Sequence, residues 1–339
     1  MTAGALAYLG PDGSFSHAAA LGAAARLVSA SGDAPALVPL ATVTDVYAAV
    51  AAGRAPGADD AAAPAPVATG VVAIESTVEG YVVASLDALV AAQDVVAVDE
   101  LALDISFDAF VRPDATQATE ITAHPHGLAQ CARYIATTGL VPVPATSNAA
   151  ACRDVLPHQV ALGPAVCGEL YGLRRVAAAV QDFSGARTRF LVLSRRGDAA
   201  ASVAARRDEA ADAAGSGAAS GSAWRTMLAI TPHEIGPGVL ARITVAFGER
   251  GVNMSSLITR PLKAQEGTYV FVVTLDGAPW QPHVRALLEQ LLAAGDSLKT
   301  LGVFPDRTGP DAGFDTSRVP AGSVRGDADA ATTDLALLW

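Results

Sequence analysis

Cysteine is scarce in this chain of 339 residues: Cys131, Cys152 and Cys167 are odd in number and show no CxxC spacing. Neither a disulfide framework nor a zinc site is suggested by that pattern. Their Ala-rich settings (AQCAR, AACRD, AVCGE) predict buried small hydrophobes rather than nucleophiles. Aromatic residues are also few, 5% against 51% hydrophobic, so the apolar mass is mostly small side chains and the cores are expected to be helix-rich and finely packed. Basic residues number 23 against 34 acidic ones, a net charge of −11 that argues against nucleic acid as a partner, since phosphate binding needs clustered Lys and Arg. An acidic chain still binds an anion where backbone N–H groups and one or two Arg make a local positive site. Nowhere do 18 uncharged apolar residues run together, and MTAGALAYLGP lacks a basic segment followed by an apolar one. The sequence therefore predicts a cytoplasmic chain without a membrane span.

What is present has a rhythm. Short apolar runs at residues 5–9, 36–40, 71–74, 95–111, 140–143, 160–162, 177–180 and 190–193 alternate with helical stretches at 14–26, 44–52, 126–137, 148–155 and 165–171. This is the pattern of an α/β fold with largely parallel strands. Residues 54–68 (RAPGADDAAAPAPVA) read as a surface loop, and residues 196–223, ending in AAGSGAASGS, as an interdomain linker enclosing a short charged helix. Residues 224–304 follow the order βαββαβ, a ferredoxin-like unit, and 305–339 read as a disordered tail. The composition thus divides the chain into a first domain over 5–195 and a second, separable one over 224–304.

Several segments carry polar groups where α/β sheets bind ligands, just beyond strand ends. GPDGSF (residues 10–15) puts two glycines and Ser14 before a helix, which suits either an anion site or a plain capped turn. Glu75, Ser76 and Thr77 follow an apolar strand; His124-Pro125-His126 leads to Gln130; Ser147 and Asn148 open another helix. The two histidines, at i and i+2 with no acidic residue nearby in sequence, are poor metal spacing, and no metal is expected. In Arg187-Thr188-Arg189-Phe190 a hydroxyl is flanked by two guanidinium groups at a strand entrance. Such a group donates to a departing oxygen while cations hold carboxylates, or it is simply an amphipathic strand start.

Taken in order, AYLGPDGSFSHAAA, GVVAIESTVEGYV, ITAHPHGLAQCARYI, ATSNAAACRDV, ALGPAVCGELYGL and QDFSGARTRFLVLSR resemble the successive signature blocks of prephenate dehydratase, with the TRF triplet the most telling. IGPGVLARITVAFGERGVNMSSLITRP resembles the ACT domain that follows the catalytic domain in that family; with no chorismate mutase-like segment before Tyr8, the likeness is to the monofunctional form. The resemblance implies a two-lobed dehydratase domain like a periplasmic binding protein, its active site between the lobes. It also implies conversion of prephenate to phenylpyruvate without a cofactor, L-phenylalanine as effector, and a homodimer or homotetramer. By the same resemblance Thr188 is the donor to the leaving hydroxyl and Phe190 shapes the ring pocket. Arg189 is either a carboxylate clamp or an ion-pair partner. Glu75, Ser76 and Thr77 line the cleft, and Ser14, Gln130, Ser147 and Asn148 are further contacts. Gly236, Gly238, Val239 and Leu240 stand where the family's effector loop lies, and Ile258 to Arg260 where its opposing wall lies. The sequence departs from the family at Ser76 (usually Asn), Thr77 (usually Ser), Ala123 (often Ser) and Ile258 (usually Glu). Rival readings are an arogenate dehydratase, a prephenate decarboxylase that keeps the ring hydroxyl, and a non-catalytic amino-acid-binding regulator.

Overall fold

The computed structural model describes residues 4–28, 33–55, 66–215, 223–262 and 268–307, over 208–215 for the backbone only. The first lobe is built from β1 (Ala5–Leu9), α1 (Phe15–Arg26), β2 (Leu37–Leu40), α2 (Val43–Ala52), β3 (Val67–Ser76), β4 (Gly80–Tyr81), α3 (Val83–Ala91) and β5 (Val95–Asp104). The chain then crosses to a second lobe: β6 (Asp108–Val111), β7 (Glu120–Ala123), α4 (Pro125–Gln130), α5 (Ala132–Thr138), β8 (Val141–Pro144), α6 (Asn148–Arg153), β9 (Gln159–Gly163), α7 (Val166–Leu170) and β10 (Arg174–Ala177). It returns as β11 (Arg187–Arg195), which inserts antiparallel between β3 and β5.

Local chemistry sets several of these boundaries. Ser14 accepts from the His17 N–H to start α1, while Thr42 and Asp45 form a reciprocal capping box at α2, which Gly53 ends in the left-handed conformation. The second lobe's sheet runs β10-β6-β9-β7-β8. Its last strand, β8, follows β7 in parallel, with Val141 donating to Thr119 and Ala145, just beyond the strand, to Ala123, and it carries Pro142 and Pro144. At the outer side of the first lobe, β2 carries Pro39.

Two differences from the sequence reading stand out in this part. The apolar run 95–111 is two strands, because the chain leaves one sheet for the other at residues 105–107. There it is laced to the returning segment by Ile105 N–H to Ala186 O (2.7 Å), Val180 N–H to Phe107 O (2.8 Å) and Phe107 N–H to Gln181 Oε1 (3.0 Å). The strand expected at 177–180 lies earlier, at Arg174–Ala177, held by Arg175 on the buried Asp108. The low-complexity loop falls mostly on residues 56–65, outside the described residues.

Beyond β11 the chain continues directly into α8 (Arg196–Gly215), a longer helix than the short one expected there. It packs on β5, and Arg206 reaches Asp99 at 3.1 Å. The C-terminal unit follows: β12 (Trp224–Thr231), α9 (Val239–Glu249), β13 (Met254–Pro261), β14 (Tyr269–Asp276), α10 (Pro282–Ala293) and β15 (Ser297–Pro305). Its sheet order, β13-β14-β12-β15, is that of a ferredoxin-like fold. One face packs α9 and α10 over Leu228, Ile230, Val273 and Leu275. The other face, with Met227, Ala229, Val270, Val272 and Phe304, shares a single core with Tyr47, Leu86, Val95 and Leu191 of the first lobe. The two sheets also meet edge to edge through one parallel pair, Gly302 opposite Ala97. Residues 305–307, expected in the tail, are fixed: Pro305 ends β15, and Arg307 pairs with Asp99. The rest of that tail lies outside the described residues. Among the described residues no helix is long and apolar enough to cross a membrane.

Candidate active site

Between the lobes a cavity of about 200 Å3 is enclosed by the start of α1, the end of β3, the turn before β4, the crossing segments, α4, α6 and the start of β11. Thr188 and Phe190 line it from β11, Ser76 from β3, Gln130 from α4 and Asn148 from α6. Five residues expected at the site from separate parts of the sequence are thus brought together. Thr188 pairs along the sheet with Ser76 on one side and Leu103 on the other, so its position is set by strand register. Among the described residues its hydroxyl has no hydrogen-bonding partner in the protein. Asn148 is held by accepting from the His124 N–H at 2.9 Å. A Cβ on Gly127 would collide with its Oδ1, so glycine there lets the amide lie against α4.

The other expected residues stand elsewhere. Ser14 and Ser147 are helix caps, and Thr77 Oγ1 accepts from the Arg187 N–H at 2.9 Å. Arg189 leaves the opposite face of β11 and lies between two carboxylates, with Nη1 2.7 Å from Glu75 and Nη2 3.0 Å from Glu100, whose side chain has no exposure. Arg189 and Glu75 are thus ion-paired with each other, and neither lines the cavity. Burial alone would lower the guanidinium's pKa, but Glu100 and Glu75 outweigh it and the net direction is upward. An uncompensated charge in such a place costs about 3–5 kcal/mol, which explains why the triad is complete.

Three contributors are not singled out by the sequence. Phe15 and Ser16, the first residues of α1, line the cavity, and their N–H groups belong to the helix turn that lacks internal acceptors. Glu79, in the turn after Ser76, receives Gln130 Nε2 at 3.1 Å and lies 3.2 Å from His126 Nδ1, joining the lobes across the rim. A sequence signal for Glu79 exists: Ser76 Oγ caps the N–H groups of Val78 and Glu79, the turn that a Ser-Thr-x-Glu-Gly stretch favours. Among the described residues no Lys or Arg lines the cavity. The three cysteines are buried; burial, with the nearby Asp182, pushes Cys131 up to about 12, and its thiol stays protonated at neutral pH.

The expected effector residues are split between the two faces of the C-terminal sheet. Gly236 and Gly238 have positive φ (133° and 90°) in the loop before α9, Val239 packs in the helix-side core, and Leu240 is exposed. Ile258 packs in the core shared with the first lobe, and Arg260 forms a two-pronged pair with Asp87 of α3, both bonds 2.7 Å.

The prephenate dehydratase family profile matches residues 6–198, more than half of the chain, and spans every element around the cavity. The chain belongs to the prephenate dehydratase family. An ACT domain profile matches residues 234–293. The prephenate dehydratase of Mycolicibacterium gilvum (strain PYR-GCK) is 31% identical over 315 residues, covering 88% of this chain and 90% of the relative. Among solved structures, prephenate dehydratase from Arthrobacter aurescens in complex with L-Phe aligns with a TM-score of 0.68 at 26% identity, over 88% of this chain and 89% of that one. GqqA, described as a novel type of quorum quenching acylase, aligns with a TM-score of 0.67 at 25% identity, over 88% and 97%. The two-lobed α/β domain followed by an ACT domain is therefore a shared family architecture.

Proposed function

We propose that this chain is a cytoplasmic prephenate dehydratase that makes phenylpyruvate for phenylalanine synthesis and is restrained by L-phenylalanine through its ACT domain. The observation that carries the reading is the unpartnered hydroxyl of Thr188, fixed by strand register in an interlobe cavity with Phe190 beside it. In the reaction the bond from ring to carboxylate breaks and its electron pair enters the ring. The bond to the ring hydroxyl breaks in turn, and one proton joins the departing oxygen, giving carbon dioxide, water and phenylpyruvate. Thr188 donates a hydrogen bond to that oxygen and relays the proton, since an ordinary threonine is too weak an acid to supply it alone.

The lining suits the other half of the chemistry. Ile105, Phe107 and Phe190 offer the ring carboxylate an apolar wall, with no Lys or Arg beside it among the described residues. A tight cation there would stabilise the ground state, whereas loss of charge as carbon dioxide is favoured where the carboxylate is poorly solvated. The side-chain carboxylate has the first-turn N–H groups of Phe15 and Ser16 within the same wall. Ser76, Gln130 and Asn148 supply neutral hydrogen bonds.

In the ACT domain, the loop at Gly236 and Gly238 leads into α9, whose Gly238 cap provides no side-chain acceptor, leaving N–H groups for an amino acid's carboxylate. Val239 and Leu240 form its apolar side. With Ile258 in place of the family's Glu and Arg260 engaged by Asp87, the effector's remaining wall comes from a second copy, in a homodimer or homotetramer. The test is turnover: purified protein incubated with prephenate should produce the strong alkaline ultraviolet absorbance of phenylpyruvate, and L-phenylalanine should depress the rate. No product, or a product that keeps the ring hydroxyl, would overturn the reading; faster turnover of arogenate would redirect it.

A further inference from the structure

Glu100 divides its carboxylate between two domains. Its Oε2 accepts from Arg189 Nη2 (3.0 Å) and Nε (3.3 Å), on the strand residue next to Thr188. Its Oε1 accepts from the backbone N–H of Arg307 (3.2 Å), two residues beyond the end of β15, and faces Arg225 Nη1 of β12 at 3.8 Å. Arg225 is itself nearly buried and reaches Asp306 at 3.1 Å, while its Nε faces Asp276 at 3.9 Å without a hydrogen bond. On the catalytic side Arg189 continues to Glu75 at 2.7 Å, in the register position opposite it on β3 and one residue before the cavity-lining Ser76. A second link runs parallel to this: Tyr81 Oη lies 2.7 Å from Ser256 Oγ of β13, and Tyr81 pairs with Glu75 across β3 and β4.

We propose that Glu100 is a positioning residue for Thr188 and that the ACT domain acts on the cavity through it, from Arg225 and Arg307 to Glu100 and then to Arg189. This rests on the dehydratase reading above and adds the route of its regulation. The physical reason is the cost of leaving a buried carboxylate or guanidinium unpaired. Glu100 has no exposure to water, so any shift of β12 or the end of β15 must be answered by Glu100, and Arg189 must follow. Because Arg189 and Thr188 are adjacent on β11, moving the guanidinium turns the strand that aims the hydroxyl. The Nε of Arg225, 3.9 Å from Asp276 and without a hydrogen bond, has one to gain if β12 moves.

Coupling of this kind is a difference in free energy between two arrangements, so it must show in both activity and effector response. The experiment compares full-length native protein with Glu100→Gln, Arg189→Lys and Arg225→Gln, measuring kcat and KM for prephenate and the midpoint of L-phenylalanine inhibition. Glu100→Gln should lower kcat at least tenfold with KM within threefold, because a misaimed donor is felt in the transition state more than in binding. Arg189→Lys, which keeps the charge, covers the case in which Glu100→Gln does not fold, and should show the same split. Arg225→Gln, remote from the cavity, should keep kcat within threefold while raising the inhibition midpoint at least fivefold, with calorimetry showing L-phenylalanine still bound. Native kcat in Glu100→Gln, or in Arg189→Lys where Glu100→Gln does not fold, or an unchanged midpoint in Arg225→Gln, would overturn the proposal. A native protein that turns over prephenate but ignores L-phenylalanine overturns its regulatory half. Absence of product from the native protein, by contrast, exposes the failure of the underlying reading.

Discussion

Removing the hydroxyl of Thr188 takes a donor from the cavity and leaves its backbone pairing with Ser76 and Leu103 in place. Thr188→Ala is therefore expected to fold normally and to lose about 100- to 1000-fold in kcat, the range of a positioned proton donor, with KM changed only a few-fold. Thr188→Ser should retain most of the rate. Steady-state kinetics with prephenate, beside a thermal melt to establish folding, checks both; near-native kcat in the alanine variant would remove the residue from the mechanism. Thr188 and Phe190 are legible at the entrance of an apolar strand within the TRF triplet, Ser76 at a strand end and Asn148 at a helix start, while Gln130 is reached only through the resemblance. Glu75 and Arg189 are only half legible. Their side chains leave the other face of the sheet, and the partner that decides the role of Arg189, Glu100, is 89 residues away in the chain. Glu79 and His126 are not readable as a pair because their contact exists only once the lobes face each other.

At the scale of the element, the alternation of strands and helices is readable from apolar periodicity, and the boundaries shift where tertiary contacts intervene. The run at 95–111 looks continuous because both of its strands are buried, β5 through most of its length and β6 throughout. Only the crossing between lobes divides it. Residues 196–215 have a linker's composition but form a helix, whose first half is anchored by Arg196 on the carbonyls of Gln93 and Thr300 and by Arg206 on Asp99. The loop before α9 gives a prediction of its own. Gly238 caps the helix at φ 90°, and nothing lies within 4 Å of the place a Cβ would take, so the obstacle to substitution is backbone strain, not space. Gly238→Ala is expected to cost about 1–2 kcal/mol, read as a lower denaturant midpoint, while basal turnover stays unchanged. An unaltered midpoint would mean that the loop relaxes to negative φ without loss.

For the whole molecule, the abrupt composition change after β11 suggests two independent units, and the shared core says otherwise. A chain ending at Arg196 would strip Met227, Ala229, Val270, Val272 and Phe304 from the core around Leu86 and Val95, and would leave Glu100 without Arg225 and Arg307. Such a chain is expected to aggregate or to melt well below the full-length protein, as size-exclusion chromatography and circular dichroism would show; a monodisperse, active fragment would contradict the shared core. The sheets themselves carry one further consequence. In β8, Val141 and Ala145 donate inward, so Pro142 and Pro144 occupy the outward positions and remove both donors a passing strand would need. On β2, where the Leu6 N–H bond to Ala36 puts the intervening odd positions outward, Pro39 removes one of the two outward donors and leaves that of Leu37. β10 is short and opens with two arginines. Against these, β13 is eight residues long, has its proline only at the last position, and directs its single charged side chain to Asp87. Among the described edge strands β13 therefore has the longest row of unblocked donors, which makes the ACT end of the sheet the edge best suited to accept another strand.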